Sequence, residues 1–210
     1  LDISRTEHNN TCAFFRGLMK NEIIKIFEES ARVKTAFAHE NADKILAVVK
    51  LLVQTFRSGR KVILFGNGGS ATDASHIAAE FVNRFLIDRP PLPAIALNTD
   101  PAVITSISND FGYDQIFSKQ LMALGQEGDV VLGISTSGNS ENVIKALDVA
   151  KKGGMKSIVL TGGTGGKLAA LADYTFIVPS RHTPHIQETH ITLGHILCQL
   201  VDEELFGNKR

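Results

Sequence analysis

Little in this chain of 210 residues points to redox, membrane or nucleic-acid chemistry. Cysteine occurs twice, as Cys12 and Cys198, with no CxxC or ribbon spacing. That excludes a disulfide framework and a thiolate zinc centre and reads as two reduced structural thiols of a cytoplasmic protein. No excess of charge exists, with 22 basic against 22 acidic residues. A balanced chain lacks the electrostatic footprint of a dedicated nucleic-acid or membrane-surface binder, which leaves a small molecule as the expected partner. No apolar run approaches the roughly 18 to 20 residues of a membrane span. The opening LDISRTEHNN has neither the basic flank nor the apolar stretch of a secretory leader. With 43% hydrophobic residues and no low-complexity linker or charge block, the chain is expected to form effectively one domain with a continuous core.

What is present is organised around residues 61–85, KVILFGNGGSATDASHIAAEFVNRF. An apolar strand, a glycine loop and an apolar-periodic helix follow one another, so the loop Gly66-Asn67-Gly68-Gly69-Ser70 opens a helix at a strand's carboxyl end. Successive N–H groups and the positive helix end make such a loop an anion site. His76 and Glu80 fall four residues apart on that helix and Arg84 four further on, all expected on one face. A phosphorylated sugar above the loop, with Glu80 in acid/base work, is the chemistry this pattern suggests.

Before this stretch, apolar residues at three-to-four spacing over 11–57 predict two helices, with a break near residues 39–43, where Asn41 could cap the second, and an end at Ser58-Gly59. Phe14 and Phe15 on the first either pack on the domain's own flank or form a subunit interface. After it, strands are expected at 62–65, 93–97, 129–134, 157–160 and 174–178, and helices at 70–85, 102–107, 115–124, 140–151, 167–172 and 186–206. This alternation predicts a three-layer αβα sandwich on a five-stranded, mainly parallel sheet, with N-terminal helices added and ligands at the strands' carboxyl ends.

A second cradle lies at 135–140, where the hydroxyls of Ser135, Thr136, Ser137 and Ser140 surround Gly138 between strand and helix. Taken singly, Ser140 is equally an ordinary N-cap. Gly66-x-Gly68-x-x-Ala71 matches a dinucleotide fingerprint, but the acid expected about 20 residues on is missing, since Asp100 comes more than 30 residues later. No nucleotide cofactor is expected. The run at 161–168, TGGTGGKL, fails as a P-loop and reads as a flexible loop. Asn109-Asp110-Phe111-Gly112 carries kinase-motif letters without the rest of a kinase, although Asp110 in a rim loop could meet sugar hydroxyls. Of seven histidines, five lie on the glycine-loop helix or in the segment RHTPHIQETHITLGH. On a helix from residue 186, Glu188 is nearly in line with His195 and Gln187 about 80° away, so geometry favours Glu188 as partner. His76, Glu80 and His195 offer either an open zinc-type ligand set or a carboxylate base with an imidazole acid; the alternative is a surface pair plus a core histidine.

In order, GNGGSxxDAxHxAxEF, LPAIALNTD, NDFGYDQIF, GDVVLGISTSGNSxNV, MKSIVLTGGTGGK and IQExHIxxxHxLC make residues 60–205 resemble a sugar-isomerase (SIS) domain, and within that family the bacterial phosphoheptose isomerases. The resemblance implies a flavodoxin-like sheet in an SIS domain at 59–210, preceded by a helical extension at 1–58 making oligomer contacts. It implies interconversion of sedoheptulose 7-phosphate and D-glycero-D-manno-heptose 7-phosphate for lipopolysaccharide or capsule. It further implies a homotetramer with shared sites and one Zn²⁺ per site, without nucleic acid or membrane partners. By position, Glu80 and His195 resemble the acid/base pair; His76, Glu80, Gln187 and His195 the zinc ligands; and Asn67, Gly68, Gly69, Asn109, Asp110, Ser135, Thr136, Ser137, Ser140 and Gln187 the substrate contacts. The resemblance thus selects Gln187 where helical geometry favours Glu188. Where many relatives carry Arg before Ile186, this chain has His185, which implies a weaker or pH-dependent cationic contact. Non-catalytic relatives share LPAIALNTD and a Leu-Phe ending but lack the His76, Glu80 and His195 set.

Overall fold

In the computed structural model of the protein, the backbone of residues 3–207 and the side chains of residues 17–207 are described. Expectations for Cys12, Phe14 and Phe15 fall outside the described side chains. Eleven elements follow in order: α1 (Ile3–Arg57), β1 (Val62–Gly66), α2 (Gly69–Val82), β2 (Ala94–Ala96), α3 (Pro101–Phe111), α4 (Ile116–Leu124), β3 (Val130–Ile134), α5 (Glu141–Lys152), β4 (Lys156–Gly162), β5 (Tyr174–Val178) and α6 (Thr183–Phe206). Single 3-10 turns occupy Tyr113–Gln115 and Lys167–Ala170. The strands form one five-stranded parallel sheet in the order β2-β1-β3-β4-β5.

Alternation along the strands builds two cores. Val62 and Leu64 of β1 face one side with side chains from α1, α2 and α6, among them Leu52, Phe81 and Leu197. Ile63 and Phe65 face the other with side chains from α4 and α5, among them Phe117 and Val143. All of β1 and β3 is buried, as strands sandwiched between helices must be. Fully burying one such side chain stabilises by roughly 1.5 to 3 kcal/mol, and Phe65, Phe81, Phe117 and Phe176 are each buried completely.

The N-terminal region departs from expectation, because α1 is one helix of 55 residues and not two. Asn41 does not cap. It is buried inside the helix, where Nδ2 donates to the Phe37 carbonyl at 3.0 Å and Oδ1 accepts from Lys44 Nζ at 3.1 Å. Lys44 also donates to the Thr175 carbonyl of β5, and Val33, Phe37, Ile45 and Val48 pack into the core on either side. Tertiary burial thus overrides the local break signal. Further back, residues 17–29 are exposed all round, apolar side chains included.

Helix α2 also ends early, at Val82, so Arg84 lies beyond it and does not share a face with His76 and Glu80. The cause is Arg89. Its buried guanidinium donates to the carbonyls of Phe81 at 2.6 Å and Glu80 at 2.9 Å, and through Nε to Asp202 Oδ1 at 2.8 Å on α6. Burial nevertheless pushes the Asp202 carboxyl above its ordinary range. Helices α2 and α6 meet at Gly194, where a Cβ would lie 2.5 Å from Ile77 Cδ1, so a larger residue would force the Ile77 side chain to shift. Cys198, also buried between them, has its thiol pushed up by desolvation, in keeping with an inert structural role.

Breaking one partner of a buried ion pair typically costs about 3 to 5 kcal/mol, because the other charge is left uncompensated. Arg89→Leu is expected to lower the urea midpoint accordingly, and the double variant Arg89→Leu/Asp202→Leu to recover part but not all, since the Glu80 carbonyl loses the Arg89 donor and the Phe81 carbonyl keeps only the Leu92 amide. His190 supplies a pH test. Buried with Nε2 on the Thr161 carbonyl at 3.1 Å, it is held neutral by desolvation, its pKa lowered to about 4. The unfolded chain therefore takes up a proton first as the pH falls, and stability is lost between pH 6.5 and 4. Urea unfolding across that window is expected to show a slope shallower by up to about 1.4 kcal/mol per pH unit in His190→Gln.

Candidate active site

The sheet order reverses at β1, since the chain steps to β2 on one side and returns to β3 on the other. Ligands of open parallel sheets bind in the crevice at such a point, beyond the carboxyl ends. Both anticipated anion cradles open there. The register pairs Gly66 with Ile134, so the loops following β1 and β3 leave the sheet side by side.

The first cradle leads into α2, which carries His76 and Glu80, with His76 Nε2 3.1 Å from Glu80 Oε1. His195 of α6 comes up from the neighbouring helix. Its ring centroid is 5.0 Å from that of His76, and Phe85 stacks on its other side at 5.3 Å. One ligand atom from each of His76, Glu80 and His195 lies within 4.8 Å of the others. Two imidazoles and one carboxylate, borderline donors with room for a further ligand, suit Zn²⁺. In a tetrahedron with bonds near 2.0 Å, ligand atoms sit roughly 3.3 Å apart, and the His76 to Glu80 spacing of 3.1 Å fits that. Neighbouring Asp73 is half-buried, and desolvation raises its pKa against the attraction of His76.

Gln187 lies against the glycine loop. Its Nε2 packs at Gly69, 2.4 Å from where a Cβ would stand, which places the amide at the head of the glycine loop. Glu188 is not the partner of His195. Its carboxylate turns to α1 and accepts from Ser30 Oγ, a bond that holds its pKa below the usual range, with His185 Nδ1 3.6 Å away. Being in line on a helix does not help when the residues are two turns, about 10 Å, apart.

In the second cradle, Ser140 precedes α5 without capping it. Its Oγ meets Ser135 Oγ at 2.8 Å, while Ser137 Oγ accepts from the Asn139 amide at 3.2 Å. Asn109 and Asp110, expected in a rim loop, sit on the last turn of α3, exposed and bonded to each other at 2.9 Å. Asp100 caps that same helix, accepting from the Ala102 and Val103 amides. His185 is buried, with Nδ1 3.6 Å from Glu188.

Some participants escaped the sequence reading. A cavity of about 410 Å³ is lined by Thr136 and Ser137 together with Gly162, Thr164, Ser180 and Arg181. Thr164 belongs to the run read as a merely flexible loop. Its position after β4 was the available signal, because every loop at that end of the sheet borders the crevice. Nothing in the local pattern marked Arg181, the basic residue of this lining.

Comparison with known proteins agrees with this geometry. The family model for the SIS domain matches residues 26–162, more than half of the chain. A phosphoheptose isomerase of Thermodesulfovibrio yellowstonii is 60% identical over 188 residues, covering 90% of this chain and 94% of the relative. One from Aquifex aeolicus is 55% identical over 185 residues, covering 88% and 97%. Among solved structures, a phosphoheptose isomerase from Francisella tularensis superposes with a TM-score of 0.85 at 41% identity, covering 88% of this chain and 98% of that one. The fold, the pairing of glycine loop with hydroxyl loop, and these likenesses together assign the chain to the SIS domain family, in its phosphoheptose isomerase group.

Proposed function

We propose that the protein is an aldose–ketose isomerase that converts sedoheptulose 7-phosphate to D-glycero-D-manno-heptose 7-phosphate, supplying heptose for lipopolysaccharide or capsule. The observation that carries the mechanism is the convergence of Glu80 and His195, from separate helices, beside two cradles. Aldose–ketose exchange moves a proton between C1 and C2 through an enediol. One group must take the proton from carbon while another serves the oxygens. Glu80 is the candidate for the carbon-bound proton and His195 for the oxygens. Glu80 Oε1 faces His76, which leaves Oε2 for proton transfer.

The phosphate belongs in the hydroxyl loop, held by Ser135, Thr136, Ser137 and Ser140 ahead of α5. Asn67, Gly68, Gly69 and Gln187 line the approach to the reacting carbons. Asn109 and Asp110 are proposed as contacts for the sugar hydroxyls. His76, Glu80 and His195 would hold the zinc ion, with Gln187 joining them after its side chain turns from Gly69. Zinc, when bound, supplies Lewis acidity toward the carbonyl.

On α1, Leu18, Met19, Ile23, Ile24, Ile26 and Phe27 are each about half exposed or more. An apolar stripe of this kind suits association with further copies of the chain. It supports the homotetramer that the family resemblance implies, with sites shared between subunits and with oligomer contacts made by the exposed part of α1 at residues 17–29, since from Val33 onward the same helix packs into the domain core. No helix among the described residues is long and apolar enough to cross a membrane. The proposed reaction is cytoplasmic.

A coupled assay with sedoheptulose 7-phosphate tests the activity; stabilisation by the sugar phosphate without product would instead mark a binding protein. Glu80→Gln and His195→Gln are each expected to lower kcat by roughly 10² to 10⁴-fold with unfolding midpoints close to wild type, and wild-type turnover in either removes its role. For the metal, elemental analysis of the purified protein is expected to find zinc, and His76→Ala to lose it. Zinc retained in full by that variant would end the proposed ligand set.

A further inference from the structure

Asn142, in the first turn of α5, is buried at 3% exposure and faces Asn67 of the glycine loop across the crevice. The two side chains form a reciprocal pair. Asn67 Nδ2 donates to Asn142 Oδ1 at 2.9 Å, and Asn142 Nδ2 donates to Asn67 Oδ1 at 2.9 Å. The Tyr113 hydroxyl donates to the same Asn67 Oδ1 at 3.0 Å. Tyr113 is itself tethered, since the next residue, Asp114, is ion-paired with Lys145 of α5. The glycine loop, the 3-10 turn after α3 and the first half of α5 are thereby tied at one amide.

A primary amide has two acceptor lone pairs and two N–H donors. Both lone pairs of Asn67 are occupied and one N–H is taken, which leaves a single N–H. The reciprocal pairing couples the orientations of the two amides, because a flip of one alone would set donor against donor and carbonyl against carbonyl.

We propose that Asn142, with Tyr113, is a positioning residue that locks the Asn67 amide, presents its remaining N–H to a substrate oxygen, and keeps the glycine loop in register with the hydroxyl loop. This rests on the reading of Asn67 as a substrate contact. Asn142 itself touches no reacting atom. Ser140, two residues before it, carries the phosphate cradle, so the same end of α5 sets the phosphate and, through the amide pair, the loop near the reacting carbons.

A double-mutant cycle in the full-length protein tests the proposal, with steady-state kinetics on sedoheptulose 7-phosphate and titration calorimetry of its binding. Asn142→Ala is expected to raise KM and Kd about 10-fold, the worth of one ordinary hydrogen bond, with a smaller change in kcat. Asn142→Asp, equal in size but lacking the donor, is expected to move KM the same way and serves if the alanine variant fails to fold. Tyr113→Phe is expected to raise KM less. In the Asn67→Ala background, Asn142→Ala is expected to add nothing further, an outcome that a merely structural residue would not give. The proposal is overturned if KM and Kd stay at wild type in well-folded Asn142 variants, if the effects of Asn67 and Asn142 multiply independently, or if Asn67→Ala alone changes neither. Wild-type protein that binds the sugar phosphate without turning it over counts against the proposed reaction, while the binding cycle still decides the role of Asn142.

Discussion

The site depends on a buried guanidinium. Arg89 is buried at the end of α2, where its N–H groups take the carbonyls that the helix leaves unsatisfied, and its Nε binds Asp202 on α6. A charge in that position is tolerable only when paired and fully hydrogen-bonded. Meeting that requirement joins the helix carrying His76 and Glu80 to the helix carrying His195. Gly194 completes the approach, since a larger residue there would force the Ile77 side chain to shift. The convergence of a carboxylate with two imidazoles is thus a consequence of helix docking, and it needs no loop to move.

The second constraint concerns the proposed phosphate site, whose loop at 135–140 contains no lysine. Helix N-termini and hydroxyls can do there the work that a cation does elsewhere, best when water is excluded and the donors are held in place. Parallel topology brings two such loops together because β1 and β3 are neighbours in space although separated in the chain by α2, β2, α3 and α4. The amide pair between Asn67 and Asn142 then ties one loop to the other, and the 410 Å³ cavity behind Thr136 and Ser137 brings Arg181 close enough to add positive charge to the rim.

Most of the sheet could be read in advance. Strands buried on both faces are short apolar runs, and the five expected ones coincide with β1 to β5 to within two residues at either end. The two cradles were legible for the same reason, since a glycine or hydroxyl cluster between an apolar strand and a periodic helix has few other uses. His76 and Glu80 were legible as an i, i+4 pair. Errors arose wherever a local signal met a long-range partner. The break expected near Asn41 was cancelled by hydrogen bonds within α1 and by packing on β5. The end of α2 was decided by Arg89, and Glu188 was taken by Ser30, more than 150 residues away in sequence.

Periodicity, loop chemistry and the spacing of His76 and Glu80 belong to neighbouring residues, and the sequence alone settles such things because helix and strand geometry is the same in every protein. It therefore carried the parallel α/β class, the sugar-phosphate chemistry and the pairing of His76 with Glu80. Bringing His195 to that pair, turning Glu188 to Ser30, making α1 continuous and pairing Asn67 with Asn142 are contacts between distant segments. Their free energy comes from burial and from satisfying polar groups inside a particular packing, so they exist only once the chain has folded.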